Sequence, residues 1–116
     1  MKEENVIKEK SMSFAIRIVE MYKYLSDVKQ EYVISKQLLR SGTSIGANVS
    51  EGVYAQSRND FISKHSIALK EAAETEYWLE LLIKTGYVTE KQYSSINEDC
   101  REIIRLLAAI VKNTKN

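Results

Sequence analysis

The side chains best equipped for chemistry in this sequence are one histidine, one arginine, a run of glutamates and one cysteine. His65 is the only histidine, and Arg58 stands seven residues before it. Together they could hold a phosphate and move a proton near neutral pH, the work of a ribonuclease, provided that both reach the same phosphate. His65 also falls on an apolar helical stripe, where a lone histidine is read first as a packed, hydrogen-bonded residue. Glu71, Glu74, Glu76 and Glu80 form an acidic cluster. Metal sites in helical bundles combine such glutamates with Glu-x-x-His pairs on facing helices, and this sequence has no such pair. Cys100 has no second ligand near it in sequence, so it reads as a small core residue. No metal and no cofactor are expected.

The most unusual stretch runs from Arg40 to Gly52, RSGTSIGANVSEG. A glycine-rich phosphate loop is excluded: no strand precedes it, no Gly-Lys-Ser/Thr follows, and the glycine spacing matches no dinucleotide fingerprint. Three glycines within a helix cost on the order of 1 kcal/mol each against alanine, and close approach of another helix is the usual compensation. Arg40, Ser44, Asn48 and Glu51 occupy a band roughly 80° wide beside the core face. An unpartnered buried asparagine would cost about 1–3 kcal/mol. The four residues are therefore predicted to form a hydrogen-bonded polar network, with Arg40 and Glu51 meeting partners on another helix or another subunit. Such a network fixes register and assembly; a ligand pocket is the alternative.

The elements that position these residues are helices. The chain has 116 residues, no proline and four glycines, which permits one domain (1–116) of long uninterrupted helices. Its 17 basic and 16 acidic residues give a net charge of +1, so no overall field draws it to a phosphate backbone. The single cysteine fits a reducing compartment, and no apolar run near Met1 is long enough for a signal peptide or a membrane span. The expectation is a soluble, cytoplasmic chain with no membrane contact.

Four amphipathic segments follow. The first spans about Ser11 to Val28, with Phe14, Ile18, Met21, Leu25 and Val28 on one stripe. The second starts between Gln30 and Ser35 and runs to about Ala55, with Ile34, Leu38, Ile45 and Val49 inward. The third spans about Arg58 to Thr85, capped by Ser57 and stopped by Gly86; its stripe is Phe61, Ala68, Ala72, Leu79 and Ile83. The fourth spans about Glu90 to Lys112 behind the capping box Thr89…Gln92, with Tyr93, Ile96, Cys100, Ile103, Leu107 and Ile110 inward. Short connections make neighbours antiparallel, giving an all-α, up-and-down four-helix bundle.

Two helices carry more apolar surface than one bundle uses. Tyr77, Trp78 and Leu81 lie some 160–260° from Phe61 around the third helix, and Met12, Ile16 and Val19 fall away from the Phe14 stripe. Aromatic residues in such a place are typical interface anchors, so a homo-oligomer is expected with Tyr77, Trp78 and Leu81 at the subunit contact.

The run from Leu39 to Gly52 resembles the signature of the bacterial four-helix-bundle family named after intervening sequences in 23S ribosomal RNA genes. The likeness continues through Ser57, Asp60-Phe61-Ile62, Lys64, the segments Ala68–Ala72 and Glu74–Leu79, and Gly86-Tyr87. It implies a bundle that assembles as a homopentameric ring. A related branch resembles the accessory protein of diversity-generating retroelements, a basic barrel that binds nucleic acid and a reverse transcriptase; this chain departs from that branch in charge balance. The leading expectation is a non-enzymatic accessory or scaffold protein acting through self-association and other protein contacts. Lys36, Arg40, Arg58 and Lys64 are its candidate RNA or DNA contacts. The alternative is an RNA-processing nuclease using Arg58 and His65, whose spacing loosely resembles the Arg…His motif of HEPN-type helical ribonucleases.

Overall fold

The turns decide how this chain folds back on itself, and each is fixed by a different device. A computed structural model describes residues 2–115. It contains α1 (Lys2–Asp27), α2 (Ile34–Val53), α3 (Arg58–Lys84) and α4 (Glu90–Lys115), with no strand among the described residues.

Between α1 and α2, Gln30 takes the left-handed conformation at φ 55°. Glu31 then folds its carboxylate over the start of α2. It accepts from the backbone N–H groups of Val33 (3.1 Å), Ile34 (3.0 Å) and Ser35 (2.7 Å), while the Ser35 hydroxyl donates to the Glu31 carbonyl at 2.8 Å. These are the donors a helix start leaves without partners, and a negative charge there also opposes the helix dipole. Between α3 and α4, Gly86 sits at φ +84°, and the N–H groups of Gly86 and Tyr87 close on the carbonyls of Ile83 and Leu82. Ser57 accepts from the Asp60 N–H at 3.1 Å, and Thr89 and Gln92 exchange side-chain to backbone bonds at 2.8 and 3.1 Å.

Sequential helices are antiparallel. Each packs on two neighbours, α1 on α2 and α4, and α3 on α2 and α4; the diagonal pairs have no Cα atoms within 8 Å. The bundle measures 44 × 21 × 18 Å. Its core is a single apolar column: Ile7, Phe14, Ile18 and Leu25; Leu38, Ile45 and Val49; Ala68, Ala72, Leu79 and Leu82; Ile96, Cys100, Ile103, Leu107 and Ile110.

Three details differ from the sequence expectation. Helix α1 begins at Lys2 rather than near Ser11, because Ile7 and Ser11 extend the buried stripe toward the N-terminus. Val28 lies beyond the end of α1 and is 66% exposed. Thr75 and Leu82, absent from the predicted stripe of α3, are fully buried because that helix also turns a flank toward α2.

The α1–α2 contact is close. A Cβ on Gly42 would stand 2.7 Å from Cγ1 of Ile18, and one on Gly46 would stand 3.4 Å from the Ser11 carbonyl oxygen. The helix-interior glycines make room for a neighbour, which offsets their weak helix propensity.

Candidate functional site

His65 is 2% exposed. Its ring stacks on Phe61 with centroids 4.1 Å apart, and its Nδ1 lies 2.9 Å from the Phe61 carbonyl oxygen. Gly52 of α2 closes the other side. Arg58 points elsewhere: its guanidinium donates to the carbonyl of Thr114 near the end of α4, through Nε at 2.8 Å and a second nitrogen. Seven residues of helix separate the two by about 10 Å along the axis. The structure therefore does not assemble the Arg58–His65 pair on a common phosphate, and it gives the nuclease reading no support.

The polar band on α2 divides into separate contacts rather than one network. Arg40 pairs with Glu71 (3.4 Å) and Glu74 on α3, and Glu74 also accepts from Nε1 of Trp78 at 2.9 Å. Glu51 pairs with Lys64 on α3 at 2.9 Å. Ser44 and Asn48 lie between them but bond within α2: the Ser44 hydroxyl donates to the Arg40 carbonyl (2.6 Å) and Asn48 Nδ2 to the Ser44 carbonyl (2.9 Å). Short polar side chains on a helix reach the carbonyl one turn back more easily than a group on another helix. The buried hydrogen bond between α2 and α3 is instead Thr75 to Ser41, at 2.9 Å.

These pairs also consume the candidate phosphate contacts. Arg40 and Lys64 face carboxylates, and Arg58 faces a carbonyl. Lys36 is exposed and has no ion pair among the described residues. Lys36 and Arg40 lie near the start of α2, whereas Arg58 and Lys64 lie in the first two turns of α3 at the other end, so the four do not form one basic patch.

Of the predicted interface residues, Tyr77 is 58% exposed. Trp78 is half-buried at the α2–α3 seam, packed on the core, with its ring edge-on to Tyr77 at 5.0 Å. Leu81 is half-buried. Trp78 falls on the opposite flank of α3 from the α4 seam, and that flank is where α2 packs. On α1, Met12 (64%) and Ile16 (56%) are exposed as large apolar side chains. Met12 borders a groove of ≈ 950 Å³ between α1 and α2, whose walls include Glu9 and Ala15 opposite Thr43, Gly46 and Ala47. The sequence signal for it was present in two parts, the off-stripe methionine and the small-residue run, but nothing in either part joined them.

Burial raises the Cys100 thiol to about 12, with the nearby Glu76 adding to the effect, and its sulfur donates to the Ala72 carbonyl at 3.4 Å. It is a core group with no nucleophilic character. Among the described residues no group of three His, Cys, Asp or Glu side chains could hold a metal ion, and no helix is long and apolar enough to cross a membrane.

The arrangement defines an antiparallel four-helix bundle in which His65, Arg40, Arg58 and Lys64 are held by internal contacts and large apolar side chains stand exposed on the outer faces. The chain belongs to the 23S rRNA-intervening sequence protein family, whose sequence model matches residues 3–109. It is similar to a crystal structure, at 1.70 Å resolution, of a protein of unknown function from the S23 ribosomal protein family of Bacteroides thetaiotaomicron. The two share 62% sequence identity and a TM-score of 0.94, over 95% of this chain and 98% of that one. No functionally curated protein matches the chain.

Proposed function

We propose that this protein is a non-enzymatic accessory or scaffold subunit that works as a homo-oligomer, the pentameric ring being the assembly its family resemblance implies. The observation that carries the reading is the apolar surface left outside the bundle: Met12 and Ile16 on α1, and Ile67 (40%) and Tyr77 on α3, are all substantially exposed. Scattered surface hydrophobes are normal on a monomer, but large apolar side chains gathered along two helices mark an interaction surface. The non-enzymatic part is supported by the packing of His65 and Cys100, the two side chains best suited to acid–base or nucleophilic work.

The pairing of Arg40, Arg58 and Lys64 weighs against a single chain gripping a phosphate backbone. Contact with RNA or DNA would draw on Lys36 and on charges arrayed by several copies. Native mass spectrometry of the purified protein, scoring bound nucleic acid in the same spectrum, tests both parts. The expected result is a discrete multimer. A monomer at micromolar concentration would remove the basis of the proposal, and nucleic acid retained with a steep salt dependence would add a second activity.

A further inference from the structure

We propose that the bundle opens along the α1–α4 seam, its α1–α2 and α3–α4 hairpins parting about the α2–α3 contact, with Arg17 and Lys10 as the latch that holds it closed. This goes beyond the self-association reading and does not depend on it. Helices α1 and α4 are the one adjacent pair that no turn joins, and their backbones meet least of the four neighbouring pairs.

Side-chain size sets that difference. Small residues let the backbones approach at the other three seams. Gly42 and Gly46 admit Ile18 and Ser11 of α1, Gly52 admits His65, Ser41 meets Thr75, and Cys100 reaches the Ala72 carbonyl. Long charged side chains span α1–α4 instead. Lys10 pairs with Glu102 at 2.8 Å and Arg17 with Asp99 at 2.6 Å. Arg17 also donates to the Ser95 hydroxyl at 2.9 Å and to its carbonyl at 3.2 Å. Ion pairs cross the α2–α3 and α3–α4 seams as well, at Arg40–Glu71, Lys64–Glu51 and Arg101–Glu76. There, each stands beside a small-residue contact: Ser41 with Thr75, Gly52 with His65, Ala72 with Cys100.

The α1–α4 seam has a pocket of ≈ 160 Å³ in that place. Lys10, Asp99 and Glu102 stand in its walls together with buried Phe14 and Ile103 of the core. Side chains that face unfilled space have no atoms to attract on that side, so parting the helices here forfeits less than at the other seams. What remains is exposed ion pairing, which contributes little and is screened by salt. The weakest line of the bundle therefore runs between its two hairpins. Opening along it uncovers Phe14 and Ile103, while Cys100 stays covered by α3. Packed units turning about a contact they keep is an ordinary form of such motion.

Thiol labelling of the folded protein tests the motion, with Cys100 as an internal control. Ile103→Cys puts a second thiol on α4 at the pocket, and trypsin separates the two by cutting after Arg101. Ser41→Cys, a near-isosteric change, reports on the α2–α3 contact. Each rate is divided by its value in denaturant. The thiol introduced at 103 is expected to react more than about tenfold faster than Cys100 or the thiol introduced at 41. Adding Arg17→Ala should raise the rate at 103 a further two- to fivefold or about that, the scale of a lost exposed ion pair, and leave Cys100 unchanged. Equal rates at 100 and 103 would mean that α4 is exposed only by unfolding, and would overturn the inference. So would an Arg17→Ala variant that leaves the rate at 103 as it was. Should Ile103→Cys fail to fold by circular dichroism, Leu106→Cys takes its place. Leu106 is half-buried and shares the Asp99–Glu102 face of α4. Its labelling is expected to quicken with Arg17→Ala by the same factor, and no change would equally overturn the inference.

Discussion

A Cβ on Gly52 would stand 2.5 Å from Cε1 of His65, so the last turn of α2 and the histidine of α3 fill one space between them. The ring cannot swing away, because it is stacked on Phe61 and held at the Phe61 carbonyl. Alanine at an ordinary helix glycine gains about 1 kcal/mol in propensity. Here overpacking reverses the sign, and Gly52→Ala is expected to destabilise the protein by about 1–3 kcal/mol in urea denaturation. Adding His65→Ala should recover part of that loss, giving a coupling on the order of 1 kcal/mol in the double-mutant cycle. Strictly additive effects would show that the two residues do not compete for space.

Glu31 gives a prediction with a pH signature. Burial pushes its carboxyl up, but the backbone N–H groups of Ile34, Ser35 and Val33 and the Ser35 hydroxyl outweigh that and hold it below the ordinary 4.5. A depressed folded value means that the group stabilises the protein fully above the unfolded carboxyl pKa. That stabilisation is lost as pH falls through the lower folded value. Glu31→Gln is expected to cost about 1 kcal/mol at neutral pH, the usual scale of a lost helix cap. It should also flatten the acid side of a stability–pH curve measured by denaturant titration. An unchanged acid limb would show that the cap carries no charge-dependent stability.

The Cys100 thiol is fully buried and raised to about 12. Labelling with a thiol reagent at pH 8 is therefore expected to be negligible on the folded protein and complete in denaturant. In intermediate urea its extent should track unfolding monitored by circular dichroism. Rapid labelling of the native state would show local opening of the α3–α4 contact.

Asn48 tests the meaning of the polar band. Its amide donates to its own helix at Ser44, and its side chain is half-buried. Asn48→Leu is thus expected to change stability by less than about 1 kcal/mol and to leave helicity and native mass as they were. A large loss of stability or a changed mass would mean that the asparagine holds a partner outside the isolated bundle.

Much of this architecture was legible in the sequence because helical periodicity and capping are local. Phe14, Ile18 and Leu25 recur on one stripe whatever they pack against, and Ser57 and Thr89 bond backbone groups three residues away. The α1–α2 turn resisted reading for the same reason. It is made by an ordinary glutamine at positive φ and a glutamate that reaches over the next helix start, and neither residue type announces such a role.

By itself, then, the sequence determined four amphipathic helices, their order and the family likeness of the Arg40–Gly52 run, since each depends on residues close together in the chain. Only the tertiary structure decided that Arg58 caps α4 away from His65, that Trp78 belongs to the α2–α3 seam, and that Gly46 and Met12 share one groove. Those outcomes depend on how one helix is rotated and raised against another. That rotation is set by interdigitating side chains from separate segments, where a few ångströms of shift exchange one partner for the next.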